Sequence, residues 1–175
     1  MTWVLLPISA AQWTAPPEFP LCRAMIAEGV VVLARSESAL AAAQTLATKT
    51  LASGPPPLDA NAIRARRFVI SELASSLQPD RDRHVLLAAG TALYTALADF
   101  ALRGANRWSA SGKALPGALK GLDPDLASRF EVAFTALLAT NDVVCVHGLV
   151  EAVLAPYGGR LREGFVQSAP AEWRD

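Results

Sequence analysis

Cysteine and histidine, the side chains that most often hold metals or form disulfides, are scarce in this sequence. Only two cysteines, Cys22 and Cys145, and two histidines occur among 175 residues. The cysteines lie far apart and no Cys-x-x-Cys spacing is present, so a disulfide framework and a zinc knuckle are both disfavoured. A reducing cytoplasm is the simplest setting for such a chain.

An excess of charge of either sign is also missing. Sixteen Lys and Arg balance sixteen Asp and Glu, which gives a net charge of zero. A protein that binds nucleic acids or membrane surfaces over a broad face is therefore not expected. Hydrophobic residues make up 52% of the chain and charged residues only 18%. This balance predicts a sizeable core rather than intrinsic disorder.

Uninterrupted hydrophobic runs of membrane-spanning character are not evident. The apolar start has no positive side chain before Arg23 and is interrupted by Pro7, so a signal peptide is not expected. The longest apolar stretch, Val85–Leu102, carries polar residues at helical spacing on one face. This spacing predicts a buried amphipathic helix rather than a membrane span.

The chain divides into an N-terminal segment, residues 1–35, and a helical domain, residues 36–175. The N-terminal segment has two β-branched runs, Trp3–Ile8 and Gly29–Ala34, which predict two strands with a short helix between them. Two strands do not form a stable sheet alone, so they need helices, a second copy or the remainder of a larger domain.

The remainder predicts a mainly α fold, a bundle of about five helices with a small two-strand N-terminal appendage. Helix starts are marked by Asp59, by Asp80 and by Asp123 followed by Pro124. A short helical piece is expected between the third and fourth helices. The predicted helices cover residues 36–53, 59–77, 80–103, 123–140 and 141–156.

A polar line runs along the third predicted helix: His84, Thr91, Thr95, Asp99 and Arg103. The last four are spaced by four residues and therefore lie on one helical face, where Asp99 and Arg103 can form an ion pair. One interpretation is a solvated face. The other is the polar wall of a groove that receives a substrate or partner.

The loop 104–113 combines Asn106, Arg107, Trp108 and Lys113 with two serine hydroxyls. Such a set can hold a phosphate and stack on a base or sugar, although a capped loop with a buried Trp108 fits equally well. A nucleotide-binding P-loop is excluded, because position 107 lacks the required glycine and Ala114 follows the lysine.

The last predicted helix and the tail carry weaker candidates. His147 and Glu151 are four residues apart, but a core or interface histidine is favoured over a metal ligand. Cys145 lies in an apolar run, which predicts a buried, inert thiol. The arginines in the segment 158–165 could serve an anionic ligand, or Leu161 and Phe165 could simply strap the tail to the bundle.

Four segments together resemble a known family: LASGPPPLDANAIRARR, ALYTALADFALRGANRWSASGKALPGAL, LDPDLASRF and LAPYGGRLREGF. The sequence is similar, from about Cys22 to Phe165, to the helical C-terminal portion of bacterial nucleotidyltransferases of the minimal or aminoglycoside type. That portion is akin to HEPN and substrate-binding domains. Asn106, Trp108, Gly112 and Lys113 match the family's loop pattern, whereas Ala114 replaces an expected aromatic residue.

The resemblance implies the helical domain without the catalytic core. The family's Gly-Ser turn, followed by two acidic residues that hold magnesium, is not found in this sequence. The acidic pairs that are present stand at helix starts, where capping explains them. The HEPN ribonuclease pattern of an arginine four to six residues before a histidine is also not met at His147.

Three hypotheses follow. The first is a substrate-binding or interaction domain, non-catalytic on its own and without cofactor or metal, that takes a nucleotide or small polar ligand, dimerises, or acts with a separate catalytic nucleotidyltransferase chain. The second is a magnesium-dependent nucleotidyltransferase with divergent or separately supplied catalytic residues. The third is a structural or regulatory bundle. The candidate substrate-binding residues are Thr95, Asp99, Asn106, Trp108 and Lys113.

Overall fold

The computed structural model describes residues 27, 29–31 and 36–166. Most of the predicted N-terminal strand segment lies outside these residues, and so does the predicted boundary after residue 35, so both stay predictions. The chain separates into two compact units, Met1–Pro56 and Pro57–Asp175.

In the first unit, the described residues form one long helix, α1 (Glu37–Ser53). The hydroxyl of Ser36 accepts a hydrogen bond from the Ala39 amide at 3.3 Å and caps the start of the helix. Gly54 ends it with a φ of +72°, a conformation that glycine adopts without steric cost. Both ends match the prediction from sequence.

The second unit is a helical bundle. Its helices are α2 (Ala60–Ser75), α3 (Arg83–Gly104), α4 (Leu115–Leu122), α5 (Pro124–Thr140) and α6 (Val144–Leu154), with short 3₁₀ turns at Gly112–Ala114 and Ala155–Tyr157. The mainly α fold class is confirmed. The described residues contain six α-helices rather than about five, because the short helical piece expected before Asp123 is an eight-residue helix, α4.

Local capping chemistry fixes two of the helix starts. The carboxylate of Asp59 accepts from the Ala62 amide at 2.7 Å, and that of Asp123 accepts from the amides of Asp125 and Leu126. The predicted cap at Asp80 lies two residues too early, since Asp82 is the N-cap residue and α3 begins at Arg83. Pro79 and Asp80 form a turn that precedes it.

Asn141 and Asp142 have different roles at the junction between α5 and α6. Asn141 ends α5 in the left-handed conformation, with a φ of +57°, as short polar side chains tolerate. The Asp142 carboxylate accepts from the Val144 amide at 2.9 Å, at the first residue of α6. The predicted end at Pro156 instead lies in the 3₁₀ turn that follows Leu154.

Helix α3 is the centre of the second unit and packs against α2, α4, α5 and α6. It is long and apolar enough to cross a membrane, which is also true of many core helices, so this property alone does not locate the chain. Seven of its residues are buried, as the amphipathic pattern predicts. They are Leu86, Gly90, Leu93, Leu97, Ala98, Phe100 and Leu102.

Candidate functional site

A groove between α2 and α3 contains an ion pair. Arg66 donates from Nη1 to Oδ2 of Asp99, and the two side chains are 36% and 22% exposed. The groove has a volume of about 280 Å³, and its other lining residues are apolar: Ala65, Val69, Ile70 and Ala96. A guanidinium carries five N–H donors and a carboxylate has two oxygens, so the pair retains hydrogen-bonding capacity toward a ligand.

A second groove, between α3 and α5, has a volume of about 310 Å³. Its floor is aromatic: Tyr94 makes edge-to-face contacts with Phe130 and Phe134, with ring centroids 5.6 and 4.9 Å apart. Three threonines and Glu131 are among its other lining residues. Burial raises the pKa of Tyr94 above its ordinary value of 10.0, so this phenol is neutral at physiological pH.

The structure separates two of the predicted site residues. Thr95 lines the α3–α5 groove, whereas Asp99, one helical turn further on, lines the α2–α3 groove. The partner of Asp99 in the described structure is Arg66 on α2, where the sequence suggested Arg103 on the same helix. Sequence spacing along one helix carries no information on this contact, because it forms only when α2 docks against α3.

The three predicted loop residues line neither of these grooves. Asn106 has a φ of +55°, and its amide donates to the Arg103 carbonyl at 3.0 Å just after α3. Trp108 is half-buried, and Lys113 is exposed in the 3₁₀ turn before α4. Asn106 therefore forms part of the turn that ends α3.

His147 belongs to a hydrogen-bonded chain that joins α6 to the tail. Its Nε2 lies 3.0 Å from the Leu77 carbonyl, and its Nδ1 lies 2.9 Å from Nη2 of Arg160. Since an arginine only donates, Nδ1 accepts and Nε2 carries the proton toward Leu77. Nε of Arg160 lies 2.6 Å from Glu151 Oε1, although its N–H is not aligned for a hydrogen bond.

These hydrogen bonds place His147 between the residue Leu77, which follows α2, and the tail. Both ring nitrogens of His147 have protein partners. Arg160, one of the two tail arginines that could serve an anionic ligand, is itself in contact with His147 and Glu151. Within residues 36–166, no group of three or more His, Cys, Asp and Glu side chains is placed to hold a metal ion.

The prediction of a buried Cys145 is wrong, because its side chain is exposed. In the apolar run that opens α6, Val143 and Val146 are buried while Val144 is 73% exposed. The core side therefore repeats every three to four residues, through 143, 146, 150 and 154. Helical periodicity across the whole of α6 would have placed Cys145 outside this series.

The segment 158–166 lies along α2. Arg67 donates to the carbonyls of Gly158 and Gly159 at 2.8 and 2.9 Å, and Arg64 donates to the carbonyl of Gly164 at 2.9 Å. The ring of Phe165 stacks on that of Phe68 at 4.7 Å.

A buried serine completes these contacts. The hydroxyl of Ser71 accepts from the Leu161 amide at 2.9 Å, and Ser71 is fully buried. The interpretation of the tail as a strap held at Leu161 and Phe165 agrees with these contacts. Arginines on α2, rather than those of the tail, make most of the polar ones.

Comparisons with known proteins leave the family open. No protein-family model, no curated protein and no solved structure matches the chain. The function is therefore argued from the geometry of the described residues.

Proposed function

We propose that this chain is a ligand-binding domain related to the helical portion of nucleotidyltransferases, non-catalytic on its own, and that its ligand occupies the α2–α3 groove. The observation that carries the proposal is the Arg66–Asp99 pair, which stands in a groove between apolar walls and is only partly covered. Ligand pockets commonly combine apolar walls with a few convergent polar groups of this kind.

The pair favours a ligand that has an anionic group together with hydroxyls. The spare N–H groups of Arg66 suit a phosphate or carboxylate, and the free oxygen of Asp99 suits a hydroxyl or amine donor. The side chain of Val69, which is 49% exposed, offers an apolar surface on which a base or sugar ring can lie. A nucleotide or a phosphorylated sugar has all three features.

The test is a thermal-shift and calorimetric titration of the purified chain with AMP, ATP and ribose 5-phosphate, with and without magnesium. Asp99→Asn and Arg66→Gln should weaken binding by roughly 10- to 100-fold, because a hydrogen bond to a charged group contributes about 1.5–3 kcal/mol. Asp80→Asn, which removes an exposed carboxylate from the turn before α3, is the matched control and should bind like the parent.

The outcomes discriminate between the hypotheses. If Lys113→Ala abolishes binding while Asp99→Asn does not, the site is the loop 104–113 and the groove assignment is wrong. If no member of the panel binds, the ligand-binding proposal fails and a structural bundle is favoured. Binding that depends strictly on magnesium would instead favour the nucleotidyltransferase hypothesis.

A further inference from the structure

The α3–α5 groove lies apart from the site proposed above, and its chemistry is different. Its floor is formed by the rings of Tyr94, Phe130 and Phe134, of which the two phenylalanines are 1% and 6% exposed. The volume of about 310 Å³ is at the lower end of the range for small-molecule pockets. Because the two phenylalanines are nearly covered, the apolar surface open to a ligand comes mainly from the half-buried ring of Tyr94 and from Leu138, which is 42% exposed.

Two threonine hydroxyls of this groove are available to a ligand as acceptors. The hydroxyls of Thr91 and Thr95 donate to the carbonyls of Leu87 and Thr91, at 2.8 and 3.2 Å. Their protons are thereby occupied, and their oxygens are left with lone pairs. Among the described residues that line the groove, Glu131 is the only charged one.

We propose that the α3–α5 groove binds a small organic cation, a protonated amine carried on an apolar body. An ammonium group has three N–H donors and no acceptor, which complements the carboxylate of Glu131 and the threonine oxygens. Its apolar body contacts the half-buried ring of Tyr94 and the side chain of Leu138. An anionic ligand meets no compensating cation among the described lining residues, where Glu131 is the only charged side chain.

A charge series on one carbon skeleton tests the proposal. Phenethylamine, 2-phenylethanol and phenylacetate are titrated separately into the full chain, and amide chemical shifts are followed by NMR. Phenethylamine should perturb the amides of Thr91, Thr95 and Glu131 in a saturable way. Its affinity should exceed that of the neutral alcohol by about two- to fivefold, as expected for a single exposed charge pair, and should decrease with added salt.

Two variants separate the groove from general surface charge. Glu131→Gln should abolish the preference for the amine, so that the amine and the alcohol bind with about equal affinity. Glu72→Gln removes an exposed carboxylate from α2 and should leave that preference unchanged.

Other results would overturn the proposal. It is refuted if the amine and the alcohol bind alike in the parent, if phenylacetate binds best, or if the perturbed amides lie elsewhere. It is also refuted if the groove amides shift with protein concentration and the amine does not compete, since a second copy would then occupy the groove. None of these outcomes depends on the α2–α3 groove, so the two proposals fail independently.

Discussion

Replacing Ser71 by alanine tests how the tail is held, and its effect can be worked out from the contacts. The buried hydroxyl donates to the Arg67 carbonyl at 2.7 Å and accepts from the Leu161 amide at 2.9 Å. Ser71→Ala leaves the Leu161 N–H without its acceptor, which costs about 1–3 kcal/mol. The higher helix propensity of alanine returns about 0.5 kcal/mol. We expect a net decrease of about 0.5–2.5 kcal/mol in the free energy of unfolding.

Urea unfolding measures this decrease. With a slope of about 1–3 kcal/mol/M, the midpoint should fall by about 0.2–2.5 M. Amide hydrogen exchange at Leu161 should accelerate at the same time, because that amide has lost its partner.

Ser75→Ala is the matched control on the same helix. The Ser75 hydroxyl only donates to the Ser71 carbonyl at 2.8 Å, so its loss should change stability by no more than about 0.5 kcal/mol. Equal destabilisation by both variants, or unchanged exchange at Leu161 in Ser71→Ala, would refute the reasoning.

Three further predictions address a close approach, a buried phenol and an exposed thiol. A Cβ at Gly104 would lie 2.2 Å from the hydroxyl of Tyr157, so Gly104→Ala should destabilise by about 1–3 kcal/mol in urea unfolding. A Cβ at Gly117 in α4 would meet no atom within 4 Å, so Gly117→Ala should instead stabilise the protein by about 0.5–1 kcal/mol. A Gly104→Ala variant more stable than Gly117→Ala would contradict the packing. In a Tyr157→Phe background, an ultraviolet titration should give a pKa for Tyr94 above 10.0, and a value at or below 10.0 would show that the ring is not buried. Because the folded state then keeps a proton that the unfolded chain loses, the free energy of unfolding should decrease as pH rises above about 10. A thiol reagent should modify Cys145 in the native protein, as peptide mapping would show; protection until denaturant is added would contradict its exposure.

Features set by local chemistry could be predicted from the sequence. The caps at Ser36, Asp59 and Asp123 involve hydrogen bonds over three residues or fewer, and all three mark helix starts as expected. The buried face of α3 also follows from its periodicity. Such patterns do not depend on how the helices pack against each other.

Contacts between helices could not be predicted in the same way. The Arg66–Asp99 pair joins residues 33 positions apart, and the contact of Arg67 with Gly159 joins residues 92 apart. Neither contact produces a periodic pattern in the sequence from which it could be predicted. Thr95 and Asp99 lie one helical turn apart on α3, but packing on two sides of α3 gives each a different groove.

The way the tail is held has an evolutionary consequence. Arg64 and Arg67 donate hydrogen bonds to main-chain oxygens, which every amino acid possesses. Most tail side chains can therefore be substituted without weakening these hydrogen bonds. The constraint falls on the two arginines, on Ser71, and on the tail glycines Gly158, Gly159 and Gly164, whose φ values of +95°, +70° and +71° disfavour other residues. Among diverged homologues, these positions should be retained while the residues around them change.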